Sequence, residues 1–275
     1  MIRLAALLLW LLALPALAQD QLTIPRADGA SVPVLHWTAP PGAPLLILSH
    51  GLGGSEDGLS DLARAANADG FDVWAMGHRE SGRPALAAVL TAEDRRAMLI
   101  RTVTDPALNA ARRADLDALL ARIGPAFEQA PLRVYGGHSM GAQSVEAEAG
   151  AANSFGVTGA DRFDAYVALS FHGPGPNFPD GDWEKLTKPI LMVTGTADNA
   201  ITGTWETRLP TFADLPQGAA TLAIIEGATH GQVSGSGPSD LASLSRTIVM
   251  DFLTGLMSSP RTRPQARQGA VITNK

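Results

Sequence analysis

One turn of chain limits what this sequence can fold into. Val134-Tyr135-Gly136-Gly137-His138-Ser139-Met140-Gly141-Ala142 links a short apolar run, Leu132 to Tyr135, to a glycine-free, alanine-rich run, Ala142 to Ala149. The first run reads as a buried strand and the second as a helix. Between them stands G-x-S-x-G, centred on Ser139. A strand that turns this sharply into a helix strains the backbone of the central residue, so its neighbours must be nearly free of side chain. Gly137 and Gly141 meet that need and leave the hydroxyl at the apex. The helix aims its first free N–H groups and its positive dipole end back at the same spot. In a chain with 28 glycines, such a pentapeptide arises by chance roughly once in six chains. Its weight therefore rests on what surrounds it.

The surroundings read as strands alternating with helices. Leu22 to Ile24 and Val32 to Trp37 flank Asp28-Gly29, a hairpin signal. Leu45 to Leu48 is continuously apolar, as in a parallel strand covered on both faces. Further strands are expected at Phe71 to Met76, Phe163 to Leu169, Pro189 to Val193 and Ala219 to Ile225, the last of the series. Helices are expected at Glu56 to Ala68, at Ala110 to Ile123 and at Ser239 to Leu256. In the second, Leu116, Leu119, Leu120 and Ile123 share a face, Arg112, Arg113 and Asp117 lie largely away from it, and Gly124-Pro125 stops it. Residues 84–109 read as short helices over a pocket mouth, and Phe171 to Lys188 is too short for a large lid domain. The fold class that follows is α/β: a mainly parallel, doubly wound sheet with helices on both faces.

Both ends lie outside that domain. Arg3, the apolar run Leu4 to Leu14, Pro15 and the small residues of Ala16-Leu17-Ala18 predict a signal peptide over residues 1–18. The run is too short to span about 30 Å of hydrocarbon, which excludes an integral membrane anchor here. The expectation is an exported protein, periplasmic or secreted, with a catalytic domain over 19–257. The tail, 258–275, is rich in proline, arginine and polar residues and is expected to be disordered. The absence of cysteine removes disulfides, thiol nucleophiles and a lipidated cysteine. A net charge of −6 argues against nucleic acid as a partner. Oligomeric state is not legible.

In such sheets, sites gather beyond the carboxyl ends of the strands. Four candidates fall there: the loop Ser49-His50-Gly51-Leu52-Gly53-Gly54, Ser139, Asp198 and His230. The loop lacks the phosphate-binding patterns, but its glycines suit an exposed N–H at Leu52. A serine hydroxyl needs a base, and the base needs an acceptor that fixes its tautomer. Ser139 is therefore read as nucleophile, His230 as general base and then acid, and Asp198 as the orienting carboxylate. The N–H groups of Leu52 and Met140 are read as the oxyanion hole. The other histidines fit less well. His50 and His138 flank glycine turns and would order loops, His36 lies in the hairpin, and His78 and His172 could line the pocket. Glu226 and Asp164 are rival carboxylates, one too near His230 in sequence and one at the wrong sheet edge. No metal-ligand spacing appears. The same arrangement could cleave amides or peptides, and the fold could also serve a non-catalytic binding protein.

On Ser49 to Gly54 and Gly137 to Gly141, the chain resembles the α/β-hydrolase superfamily, in its dienelactone hydrolase-like and platelet-activating-factor acetylhydrolase-like branch. The Arg113-x-Asp115 pair in a leucine-rich helix is similar too. The resemblance covers most of residues 20–257. It implies a carboxylic-ester hydrolase acting on a small-molecule or lipid ester without a cofactor. Dienelactone hydrolases proper carry cysteine where this chain has Ser139, which favours ester or lipid cleavage.

Overall fold

Leu45 to Ser49 forms β3, and each of its residues is buried. Its side chains alternate between two cores, Leu45 and Ile47 facing one and Leu46 and Leu48 the other. That alternation explains a run with no polar residue: both faces of the strand are covered. The computed structural model describes residues 19–179, 181–199, 203–258 and 264–275. The signal-peptide expectation for residues 1–18 lies outside them.

The other strands are β1 (Gln19–Pro25), β2 (Ser31–Trp37), β4 (Asp72–Met76), β5 (Arg133–His138), β6 (Ala165–Leu169), β7 (Ile190–Ala197), β8 (Ala220–Thr229) and β9 (Ala270–Asn274). They make one sheet in the order β1-β2-β4-β3-β5-β6-β7-β8-β9. From β4 to β8 neighbouring strands run parallel, while β1, β2 and β9 add antiparallel edges.

Helices cover both faces. Helix α1 (Ser60–Ala68) and the closing helix α8 (Asp240–Ser258) share one core through Leu62, Ala66, Ile248 and Phe252. Helix α4 (Pro106–Gln129) and the helix after the turn, α5 (Met140–Glu148), share the other through Leu116, Leu119 and Val145. The N–H of Ala242 bonds Ser239 Oγ, so Ser239 caps α8 as its sequence predicts. Between β4 and α4, helices α2 (Arg83–Thr91) and α3 (Arg95–Val103) pack on each other, and the short α6 (Leu209–Asp214) lies between β7 and β8 in the chain. Among the described residues, no helix is long and apolar enough to cross a membrane.

Four expectations are corrected. Helix α4 runs through Gly124-Pro125 to Gln129. A proline in a last turn removes one hydrogen bond, and Phe127, edge-on to Phe163, packs that turn onto the core. Helix α1 begins at Ser60, because Gly58 sits in a turn closed onto Ser55. Within the tail expected to be disordered, Ala270–Asn274 pairs along β8 and extends the sheet. The β-branched run Val271-Ile272-Thr273 suits a pleated edge, and partner strand and tail satisfy each other's backbone groups. Arg112, expected on the solvent side of α4, is 1% exposed.

Candidate active site

The turn after β5 carries the strain its sequence implies. Ser139 has φ 55° and ψ −119°, a conformation that side chains rarely adopt. The flanking glycines are required by contact. A Cβ on Gly141 would lie 2.0 Å from Ser49 O, and one on Gly137 would lie 2.4 Å from the Gly141 backbone.

His230 begins α7 (His230–Val233) just beyond β8, where Thr229 and Gln232 form a capping box. Its Nε2 lies 3.0 Å from Ser139 Oγ, and its Nδ1 lies 2.8 Å from Asp198 Oδ1. Asp198 follows β7 where the register with β8 shifts between Gly195 and Ala197. Such a bulge re-aims the chain at a strand end. Three residues distant in sequence thus meet in one hydrogen-bonded line, in the sense Ser–His–Asp.

The Asp198 carboxylate is fully buried yet well supplied with donors. Oδ1 accepts from Ser170 Oγ at 3.1 Å, and Oδ2 accepts from Thr194 Oγ1 at 3.1 Å. Arg208 pairs with Oδ2 at 3.2 Å. Burial by itself pushes the Asp198 carboxyl up, but the bond to His230, the Arg208 charge and the Ser170 hydroxyl outweigh it and hold it below the usual range. Ser170 Oγ also lies 2.9 Å from His230 Nδ1. Neither Ser170 nor Arg208 was singled out in sequence. Ser170 directly follows a buried strand at the functional edge, which is the one available signal. Arg208 offers none.

Leu52 and Met140 both line a cavity of about 420 Å³ that opens on Ser139 and His230. A Cβ on Gly51 would lie 3.1 Å from Ser139 Cβ, so the loop after β3 abuts the serine. Met140 is the first residue of α5, where an N–H has no partner within the helix. Leu86, Val89, Leu99 and Val103 of α2 and α3 give the cavity an apolar wall. Short helices over the mouth are as the sequence suggests. His172, Asn177 and Thr207 add polar groups to the lining, interleaved with Phe171, Pro174 and Pro176.

The remaining histidines have other occupations. His50 Nε2 accepts the His78 N–H at 2.9 Å and its Nδ1 meets Gly51 O at 2.6 Å, so it orders the glycine loop. Burial pushes its pKa down to about 2. His138 Nε2 bonds His230 O at 2.8 Å. Burial pushes His138 down to about 3, helped by the neighbouring His230. His36 pairs with Asp72. His172 lines the cavity as one expectation had it, its ring and N–H both held by the fully buried Glu146 at 2.8 Å. His78 does not line it. It forms a sealed Ser49–His78–Asp115 set, with 2.9 Å to Ser49 Oγ and 2.7 Å to Asp115 Oδ2. Burial lowers the His78 pKa well below its ordinary value, and it raises Asp115 to about 6. Ser49 is wholly buried, which rules it out as a nucleophile for external substrates. Of the rival carboxylates, Asp164 is paired with Arg133 and Glu226 is exposed on β8.

Neither a protein-family model nor a curated protein sequence matches the chain. Solved structures do match it in fold. A predicted CIB-like hydrolase from Thermoplasma acidophilum has a TM-score of 0.58 at 18% identity, over 86% of this chain and 99% of that one. A dienelactone hydrolase from Anabaena variabilis has 0.56 at 14%, over 86% and 97%. A cold-adapted esterase from an Arctic intertidal metagenomic library has 0.55 at 18%, over 83% and 90%. With the strand order above, these likenesses make the fold that of the α/β-hydrolases.

Proposed function

We propose that this protein is an exported serine hydrolase that cleaves carboxylic esters through an acyl-enzyme. One observation carries the reading: the line from Ser139 Oγ through His230 to Asp198, at 3.0 and 2.8 Å, opens directly into the cavity. In the first half-reaction His230 Nε2 takes the Ser139 proton as Oγ attacks the ester carbonyl. The C–O bond to the alcohol then breaks, and His230 returns the proton to the leaving alkoxide. In the second half-reaction water attacks the acyl carbonyl, His230 takes its proton, and Ser139 leaves with that proton restored. The developing oxyanion is assigned to the N–H groups of Leu52 and Met140. One such donor contributes on the order of 3 kcal/mol.

The apolar wall from α2 and α3 suits a hydrocarbon portion of the substrate, and the few polar groups of the lining, His172, Asn177 and Thr207, suit its oxygen-bearing portion. Residues 1–18 support the export assignment. A fluorophosphonate probe is expected to label Ser139, and Ser139→Ala to abolish both labelling and hydrolysis of nitrophenyl esters. Folded protein that resists the probe and hydrolyses no ester overturns the reading. Amide substrates in the same assay distinguish an amidase. Cell fractionation with N-terminal sequencing tests export, with Gln19 expected as the first residue.

A further inference from the structure

Beneath the loop that carries Leu52 lies one guanidinium with four partners. Arg112 Nη2 donates to His50 O at 2.5 Å and to Ser49 Oγ at 2.8 Å. Its Nη1 donates to Ser81 Oγ at 2.7 Å, and its Nε donates to Ser144 Oγ at 3.0 Å. Each partner leads to one of the two N–H groups assigned to the oxyanion. His50 stands two residues before Leu52. Ser81 accepts, through its own carbonyl, the N–H of Gly53, the residue after Leu52. Ser144 lies one turn into α5, and its hydroxyl donates to Met140 O at 3.1 Å. One rigid planar group therefore spans both halves of the hole.

The setting is costly for stability alone. Among the described residues no carboxylate forms an ion pair with Arg112, and all its acceptors are neutral. Asp115, one turn further along α4, is taken by Arg26 at 2.8 Å and by His78. A buried cation without a direct counter-charge lacks the Coulombic return that offsets its desolvation, and an apolar side chain of similar volume would be cheaper. A lysine could supply the charge but not four directed bonds in one plane.

We infer that Arg112 is a positioning residue that sets the spacing of the Leu52 and Met140 N–H groups, a role that rests on the esterase reading above. It touches no substrate. Its fork ties the end of β3, the loop after β4 and the first turn of α5 to one another, so the two donors reach the transition-state oxygen together. Ground-state binding does not use that geometry, so the effect belongs in kcat rather than KM.

The test uses Ser144→Ala, Ser81→Ala and Arg112→Lys in the full chain. Each is assayed with a nitrophenyl ester and with a trifluoromethyl ketone of matched acyl length. The ketone adds Ser139 Oγ to its carbonyl carbon and becomes a hemiketal oxyanion, so its Ki reports the hole itself. Thermal melts report folding. Each serine variant is expected to lose about 3–10-fold in kcat, and Arg112→Lys about 10²-fold, the lower range for loss of one donor. KM is expected to hold within about twofold, and the ketone Ki to weaken by the same factor as kcat. Variants that keep wild-type kcat, or that lose kcat while the ketone Ki stays fixed, overturn the inference. If Arg112→Lys does not fold, the serine variants decide, since each removes one arm and leaves the cation in place. A wild-type protein that hydrolyses no ester sinks the esterase reading and this one with it, whereas an active wild type with unaffected variants sinks this one alone.

Discussion

Arg208 grips both oxygens of the Asp198 carboxylate: Nη1 lies 3.2 Å from Oδ2, and Nη2 donates at 3.3 Å to Oδ1, the oxygen that His230 Nδ1 also meets, while Nη1 donates to the Asp198 carbonyl at 2.7 Å. The carboxylate is thus shared between a ring that must gain and lose a proton and a cation that never does. Replacing Arg208 by Gln leaves a buried carboxylate short of its charge partner. We expect a loss of about 3 kcal/mol, the low end for a broken buried pair because Ser170 and Thr194 still donate. The second effect is on catalysis. Arg208 helps hold the carboxylate that orients His230, so kcat is expected to fall in the variant. Urea denaturation and kcat of the folded variant check the two effects separately. An unchanged kcat would mean that Arg208 is structural only.

Asp198→Asn is expected to lower kcat by about 10³–10⁴-fold with the fold retained, since the change is nearly isosteric but presents the wrong face to Nδ1. Glu226→Ala is expected to be nearly silent, because that side chain is exposed on β8. The two variants belong in one assay. A crippled Glu226→Ala beside an active Asp198→Asn would reassign the orienting carboxylate.

Acid is expected to destabilise the fold before it dissolves the site. His50 and His78 are 3% and 2% exposed, and burial depresses both. Below about pH 6.5 the unfolded chain binds a proton at each and the folded chain does not, so stability falls as pH falls. Asp115 has the opposite sign. Its folded pKa of about 6 lies above the ordinary aspartate value, so it adds stability as pH drops through that window. His138, held down to about 3, likewise takes its proton only in the unfolded chain, so three protons against one leave a net loss of about 2.7 kcal/mol per pH unit between roughly pH 6 and 4. Urea midpoints at a series of pH values measure the slope. A flat profile would mean that two of the three histidines are charged in the folded protein.

Removal of residues 259–275 takes β9 off the sheet and exposes the edge of β8. We expect a lower melting temperature and a tendency to self-associate, because an unpaired edge is a template for another chain. Light scattering and thermal melts of the shortened protein compare directly with the full chain. Unchanged values in both would make β9 dispensable.

Much of this protein is local in origin and could be read directly from the chain. A continuous apolar run such as Leu45 to Leu48 suits only a strand covered on both faces. Gly137 and Gly141 mark a turn where a Cβ has no room. The order Ser139, Asp198, His230, each just past a strand, places three reactive groups at one sheet edge. The tertiary structure decided which polar residues go inside. Arg112, Asp115, Ser170, Arg208 and Glu146 resemble surface residues in sequence, since burial of a charge or hydroxyl depends on partners supplied by other segments. Arg112 takes its acceptors from positions 31 to 63 residues away. Asp198 is fixed by Ser170, 28 residues before it, and by Arg208 beyond β7. Helix periodicity records a residue's face but not the acceptors waiting on it, and those acceptors exist only once β3, β4, α4 and α5 have come together.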